Sequence, residues 1–144
     1  VVNSIFDLFE LGSVDISNEP KNYDLSKGLE PMMGFKLEEM NKLHLQFELK
    51  KPDWMCNIAD NMMVELDTPQ GLCHKASVEE LFDNESGYTL FKAEYDSFSV
   101  PEWVEGRYVL SVYYTDNRFV DDYFIKIIED NNLLLYLLIL KGFL

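Results

Sequence analysis

The sequence predicts an all-β fold, an antiparallel, immunoglobulin-like β-sandwich with one short helix, and three observations carry that prediction. Two segments alternate apolar and polar residues with period two. Turn residues punctuate the chain at short intervals. No long helical stripes separate the strand-like segments, as an α/β sheet would require. The length of 144 residues allows one core, which at this size buries roughly two-thirds of the unfolded surface. The expected organisation is one sandwich domain over 1–132 and an apolar tail over 133–144.

The N-terminal SIFDLFELG stays ambiguous: Ile5, Phe6 and Phe9 fit a helical stripe, whereas Phe6, Leu8 and Glu10 break a strand pattern. Residues 14–16 read as a weak strand. LHLQFELK over 43–50 puts Leu43, Leu45, Phe47 and Leu49 on one face and His44, Gln46, Glu48 and Lys50 on the other, a half-buried strand. Residues 62–66 form another, ended by Asp67-Thr68-Pro69-Gln70-Gly71. Ser77 followed three residues later by Glu80 has the order of a capping box, so 77–82 is expected to be the short helix. A strand over 88–95 follows Ser86-Gly87.

RYVLSVYYT over 107–115 aligns Tyr108, Leu110, Val112 and Tyr114 on one face, and Asp116-Asn117 turns the chain into a hairpin partner over 119–128. There Phe119, Tyr123, Ile125 and Ile127 face inward, and Asp121-Asp122 predicts a bulge or an edge. The end, NNLLLYLLILKGFL, is too short to cross a bilayer. It reads as a last buried strand, a short interfacial segment, or residues outside the natural fold.

Charge narrows the function classes. Twenty-six acidic against 12 basic residues give a net charge of −14, which repels phosphate backbones and anionic membranes. A nucleic-acid partner is therefore not expected, and without an uninterrupted apolar run near ~20 residues neither is a membrane span. The start at Val1 suits a mature secreted chain or a fragment, and the expectation is a secreted or extracellular protein, with a cytoplasmic one left open. Cys56 and Cys73 form one possible disulfide or stay as two thiols, and Asn84-Glu85-Ser86 is a possible glycosylation site at Asn84.

Catalytic constellations are scarce. His44 lies on the polar face of a strand; Cys73 and His74 are chain neighbours that point apart on an extended backbone. Asp83-Asn84-Glu85 and Asp121-Asp122 match no calcium loop, and phosphate-cradle and nucleophile-elbow motifs are missing. The expectation is a non-enzyme without cofactor or metal.

Pro101-Glu102-Trp103-Val104-Glu105-Gly106-Arg107-Tyr108 places a large aromatic where Pro101 ends a strand and Gly106 frees the backbone before the next. Trp103 there plugs the end of a core or lines a pocket. This segment, with its two closing strands, resembles the C-terminal part of the lipid-recognition (ML) family and its relative the ganglioside activator protein. The resemblance implies a secreted two-sheet sandwich that holds an acyl chain without catalysis. The chain departs from that family in having no cysteine from Val120 to Tyr123.

The resulting expectation is non-enzymatic binding of a lipid or other small hydrophobic ligand between two sheets, walled by Phe47, Val64, Trp103, Tyr108, Leu110, Tyr114 and Ile125. The rival is an acidic interaction module, inhibitor- or immunity-like, that masks a protein partner with a basic surface.

Overall fold

A computed structural model describes residues 9–17, 23–26, 32–52, 54–55, 57–83, 87–96, 98–115, 117–118 and 122–142. Its strands are β1 (Glu10–Ser17), β2 (Tyr23–Asp24), β3 (Met32–Lys36), β4 (Leu43–Lys50), β5 (Met62–Asp67), β6 (Cys73–Ser77), β7 (Glu79–Asp83), β8 (Thr89–Tyr95), β9 (Gly106–Tyr114), β10 (Asn117–Arg118) and β11 (Tyr123–Ile128). The helix α1 (Asp130–Leu140) follows them.

Two sheets form a sandwich, as the alternation predicts. The first has the order β1-β4-β8-β7 and the second β2-β3-β11-β9-β5-β6, with β10 paired to β9. Pairing is antiparallel except between β3 and β11, which run parallel with Ile127 opposite Phe35. The core fills the space between the sheets. From the first sheet come Leu43, Leu45, Phe47, Leu49, Phe91 and Tyr95, and from the second Phe35, Val64, Leu66, Tyr108, Leu110, Val112, Ile125 and Ile127. Phe47 and Phe91 are cross-strand partners whose rings stack at 5.4 Å, a pair that fixes register as well as burying area.

One lateral seam is closed by the chain itself. β6 is the edge of the second sheet and β7 the edge of the first, and the buried Val78 carries the chain from one to the other. Tyr95, on β8, spans the sheets at this seam: its hydroxyl donates toward the carbonyls of Val64 (2.9 Å) and His74 (3.1 Å). At the opposite seam, Val14 and Ile16 on β1 face Met32, Met33 and Tyr123 across a groove of about 210 Å³.

Two local expectations are corrected. Residues 77–82 are not a helix: Ser77 ends β6, and β7 pairs with β8 through Glu79 opposite Lys92 and Asp83 opposite Thr89. A helix of six residues is marginal without tertiary packing, and the sheet ladder gives these residues backbone partners that an isolated turn lacks. The helix is instead α1, Asp130–Leu140, which takes in most of the 133–144 tail that was expected to be a strand, an interfacial segment or foreign sequence. It starts after the extended Glu129, whose carbonyl accepts the Asn132 (3.0 Å) and Leu133 (3.1 Å) amides. It ends at Gly142, which adopts φ +80° and donates to the Ile139 carbonyl at 3.1 Å, the left-handed stop that favours glycine.

Residues 1–8, the Asp116 of the expected turn, and 119–121 lie outside the described residues.

Candidate functional site

Six of the seven expected wall residues are buried. Val64 and Leu110 are 0% exposed, Tyr108 and Ile125 1%, Phe47 2% and Tyr114 7%. All six belong to one packed cluster, against which Trp103 is half-buried. None of the seven lines any of the grooves found among the described residues. These six side chains are therefore part of the core among the described residues.

The Pro101 to Tyr108 segment is a corner. The Tyr108 hydroxyl accepts the Val104 amide (2.9 Å) and donates to the Val104 carbonyl (2.8 Å), four residues upstream, the tyrosine-corner arrangement of Greek-key sandwiches. Trp103 packs on this ring at 5.8 Å, and its indole Nε1 is buried with no hydrogen-bond partner among the described residues. Gly106 sits at φ +145°, where an added Cβ would lie 2.5 Å from Pro69 Cγ. The corner therefore has to have glycine where it meets the 67–71 turn. Burial pushes the Tyr95 and Tyr108 phenols above their ordinary pKa, and for Tyr108 the Val104 amide partly offsets this.

The remaining sequence-marked residues are scattered. Cys73 is an exposed free thiol, which removes the expected Cys56 to Cys73 bridge from this structure; Cys56 itself and Asn84 lie outside the described residues. Burial, followed by the Asp67 and Glu65 carboxylates, raises the Cys73 pKa, the reverse of an activated thiolate. His44 Nδ1 meets Glu94 Oε1 at 3.1 Å on the outer face of the first sheet. The Lys92 ammonium, 3.1 Å from the same oxygen, holds the Glu94 carboxyl below its usual pKa. Asp83 accepts a hydrogen bond from Thr89 (2.6 Å) and Asp122 one from Ser111 (2.8 Å). Each has a local structural partner, and the described residues contain no group of three or more metal-ligating side chains.

The surface feature that stands out lies in the segment that the sequence reading marked as an apolar tail. α1 lies against the outer side of the second sheet, where Leu133 packs with Leu25 and Ile128, and Met32, Leu137 and Leu140 surround them. The same helix leaves Leu134 66%, Leu135 50% and Ile139 51% exposed. A helix that is apolar all round is ordinarily buried on every side, and this one is buried on one. Beside the exposed face runs a groove of about 300 Å³ lined by Ile128, Leu135 and Ile139, with Glu105, Lys126 and Asn132 at its rim. Glu105 Oε1 reaches toward the Glu129 amide (3.4 Å) and the Asn132 amide group (3.5 Å), tying the helix start to the sandwich. The helix signals were present in the sequence as Asp130-Asn131-Asn132 ahead of the leucines and Lys141-Gly142 after them. No helix among the described residues is long and apolar enough to cross a membrane.

No family model matches the chain, and no curated protein does. Among solved structures it is similar to the Pseudomonas fluorescens alkylpurine DNA glycosylase AlkC bound to DNA containing an abasic site analog, at 11% identity and a TM-score of 0.46, over 83% of this chain and 30% of that one. The chain thus spans about 30% of the length of the protein it matches.

These findings correct the sequence-based function. The matched structure is an enzyme bound to DNA, against the expectation of a non-enzymatic lipid binder or acidic mask without nucleic acid, and that expectation is not carried forward. A likeness of that degree assigns neither glycosylase activity nor DNA to this chain.

Proposed function

We propose that the chain is a self-assembling β-sandwich module whose copies join through the exposed face of α1. The observation that carries this reading is the row Leu134, Leu135 and Ile139, half or more exposed on a helix already seated on the sandwich. These three side chains leave roughly 300 Å² of apolar surface in water, the scale of the largest patch on a typical monomer and one that marks contact sites.

A second copy fits this face by polarity. The groove beside the helix carries one carboxylate, Glu105, and one ammonium, Lys126. Under a two-fold axis each surface meets itself, so the exposed leucines and Ile139 of the two copies meet at the centre. The charge of −14 disfavours an anionic membrane there, and it opposes a second copy as well until salt screens it. An apolar row of this size is small beside the roughly 1,200 Å² that a stable specific interface buries, so the contact is weak and reversible.

Light scattering on the wild-type chain and on Leu135→Glu/Ile139→Glu tests this. Wild type should move from monomer toward dimer as concentration rises, and the variant should stay monomeric with an unchanged circular dichroism spectrum. Equal association by the two would place the interface elsewhere.

A further inference from the structure

We infer that a second site, independent of α1, binds a neutral polyhydroxylated ligand, a short oligosaccharide, in a cleft on the outer face of the second sheet. The cleft has a volume of about 560 Å³ and lies across β5, β6 and β9, where Asp60, Asn61, Glu65, Lys75, Tyr113 and Thr115 line it. That volume is within the range of small-molecule sites.

The chemistry of the lining selects the ligand class. Tyr113, half-buried on the outer side of β9, supplies an aromatic surface of the kind that packs against the C–H face of a sugar ring. Asn61 can donate and accept, the Thr115 hydroxyl, whose proton goes to the Tyr114 carbonyl, can accept, and the Glu65 to Lys75 pair, 3.7 Å apart, offers an acceptor beside a donor. Vicinal hydroxyls, each both donor and acceptor, match such a set without bringing net charge. An anionic ligand would face Asp60 and the charge of −14 on the whole chain. Lys75 already answers Glu65, which weakens the claim of a cationic ligand.

The backbone at the cleft supplies a separate observation. Thr115 has φ +56°, a left-handed conformation rare for a β-branched residue, and Asn57, just ahead of the short helical turn Ile58–Asn61, has the same φ. The Thr115 amide donates to the Asn61 carbonyl at 2.7 Å and its hydroxyl to the Tyr114 carbonyl at 2.6 Å. These bonds hold that turn against the end of β9 and so form one wall of the cleft. Strain of this type concentrates at ligand clamps.

The test uses ¹H–¹⁵N spectra of the full chain carrying Leu135→Glu/Ile139→Glu, so that self-association and binding are read separately. The probes are neutral oligomers of hexoses, pentoses and N-acetylhexosamines, with a sulfated oligosaccharide and spermine as charge controls. A neutral oligomer should shift the amides of Asn61, Glu65, Lys75 and Thr115 saturably. Asn61→Ala, at an exposed position, and Tyr113→Ala should each weaken binding at least about tenfold, the scale of one lost anchor. Thr115→Gly should keep or raise the melting temperature while weakening binding. Amides unmoved by every neutral oligomer, binding that survives Asn61→Ala, or a site that takes only spermine or only the sulfated sugar would overturn the assignment.

Discussion

Removing the Tyr95 hydroxyl with Tyr95→Phe tests how the two sheets are joined at the closed seam. Tyr95 is 1% exposed on β8 of the first sheet, and its hydroxyl is shared between two carbonyls of the second, Val64 at 2.9 Å and His74 at 3.1 Å. A phenol has one proton to give, so the variant removes one hydrogen bond split over two acceptors. The net value of such a bond is about 0.5–1.5 kcal/mol, and a carbonyl left without a partner in a dry interior adds about 1 kcal/mol or more. The ring stays and no cavity opens, so the expected loss is about 1–2.5 kcal/mol, which at this chain length lowers the melting temperature by roughly 3–10 °C. Urea unfolding followed by tryptophan fluorescence measures it, and the midpoint should fall at constant slope. An unchanged midpoint would mean that the sheets are held by apolar packing alone at this seam.

Gly106→Ala should destabilise by about 1–3 kcal/mol, because its Cβ would meet Pro69 at 2.5 Å in a left-handed backbone; thermal unfolding checks this, and a stable alanine variant would mean the 67–71 turn yields freely. Alkaline pH should weaken the fold through Tyr95 and Tyr108. Both phenols are raised by burial, so their contribution is complete below the ordinary tyrosine pKa of about 10 and is lost as pH climbs through the higher folded values. Absorbance at alkaline pH should show phenols that ionise only on unfolding, and urea midpoints should fall above about pH 10. Two ordinary titrations at those residues would refute the buried-phenol assignment.

How much of this was legible in the sequence depends on what each segment buries. β4 and β9 alternate because one face meets the core and the other water, and their inward residues were readable as written. β6 and β7 are edges with mostly exposed side chains, so no face was marked by hydrophobicity, and the Ser77 to Glu80 spacing drew a helical reading instead. β3 is short, contains Gly34 and pairs in parallel with a strand about ninety residues away, a contact that no local pattern encodes. α1 is apolar on every side, so period gave no signal and only its two ends did. The wall residues of the supposed lipid site were correctly placed inside, but inward alternation reads the same whether the space is filled or hollow. The cleft residues come from three strands and the turn before β5, and only the fold brings them together.

The most direct test of self-assembly through α1 is sedimentation velocity of the wild-type chain over a concentration series, at low salt and at about 1 M salt, where the Debye length falls to about 3 Å. With a charge of −14 on each copy and an apolar contact between them, dimerisation should strengthen as salt screens the repulsion. A sedimentation coefficient that stays monomeric at every concentration in high salt would contradict the account.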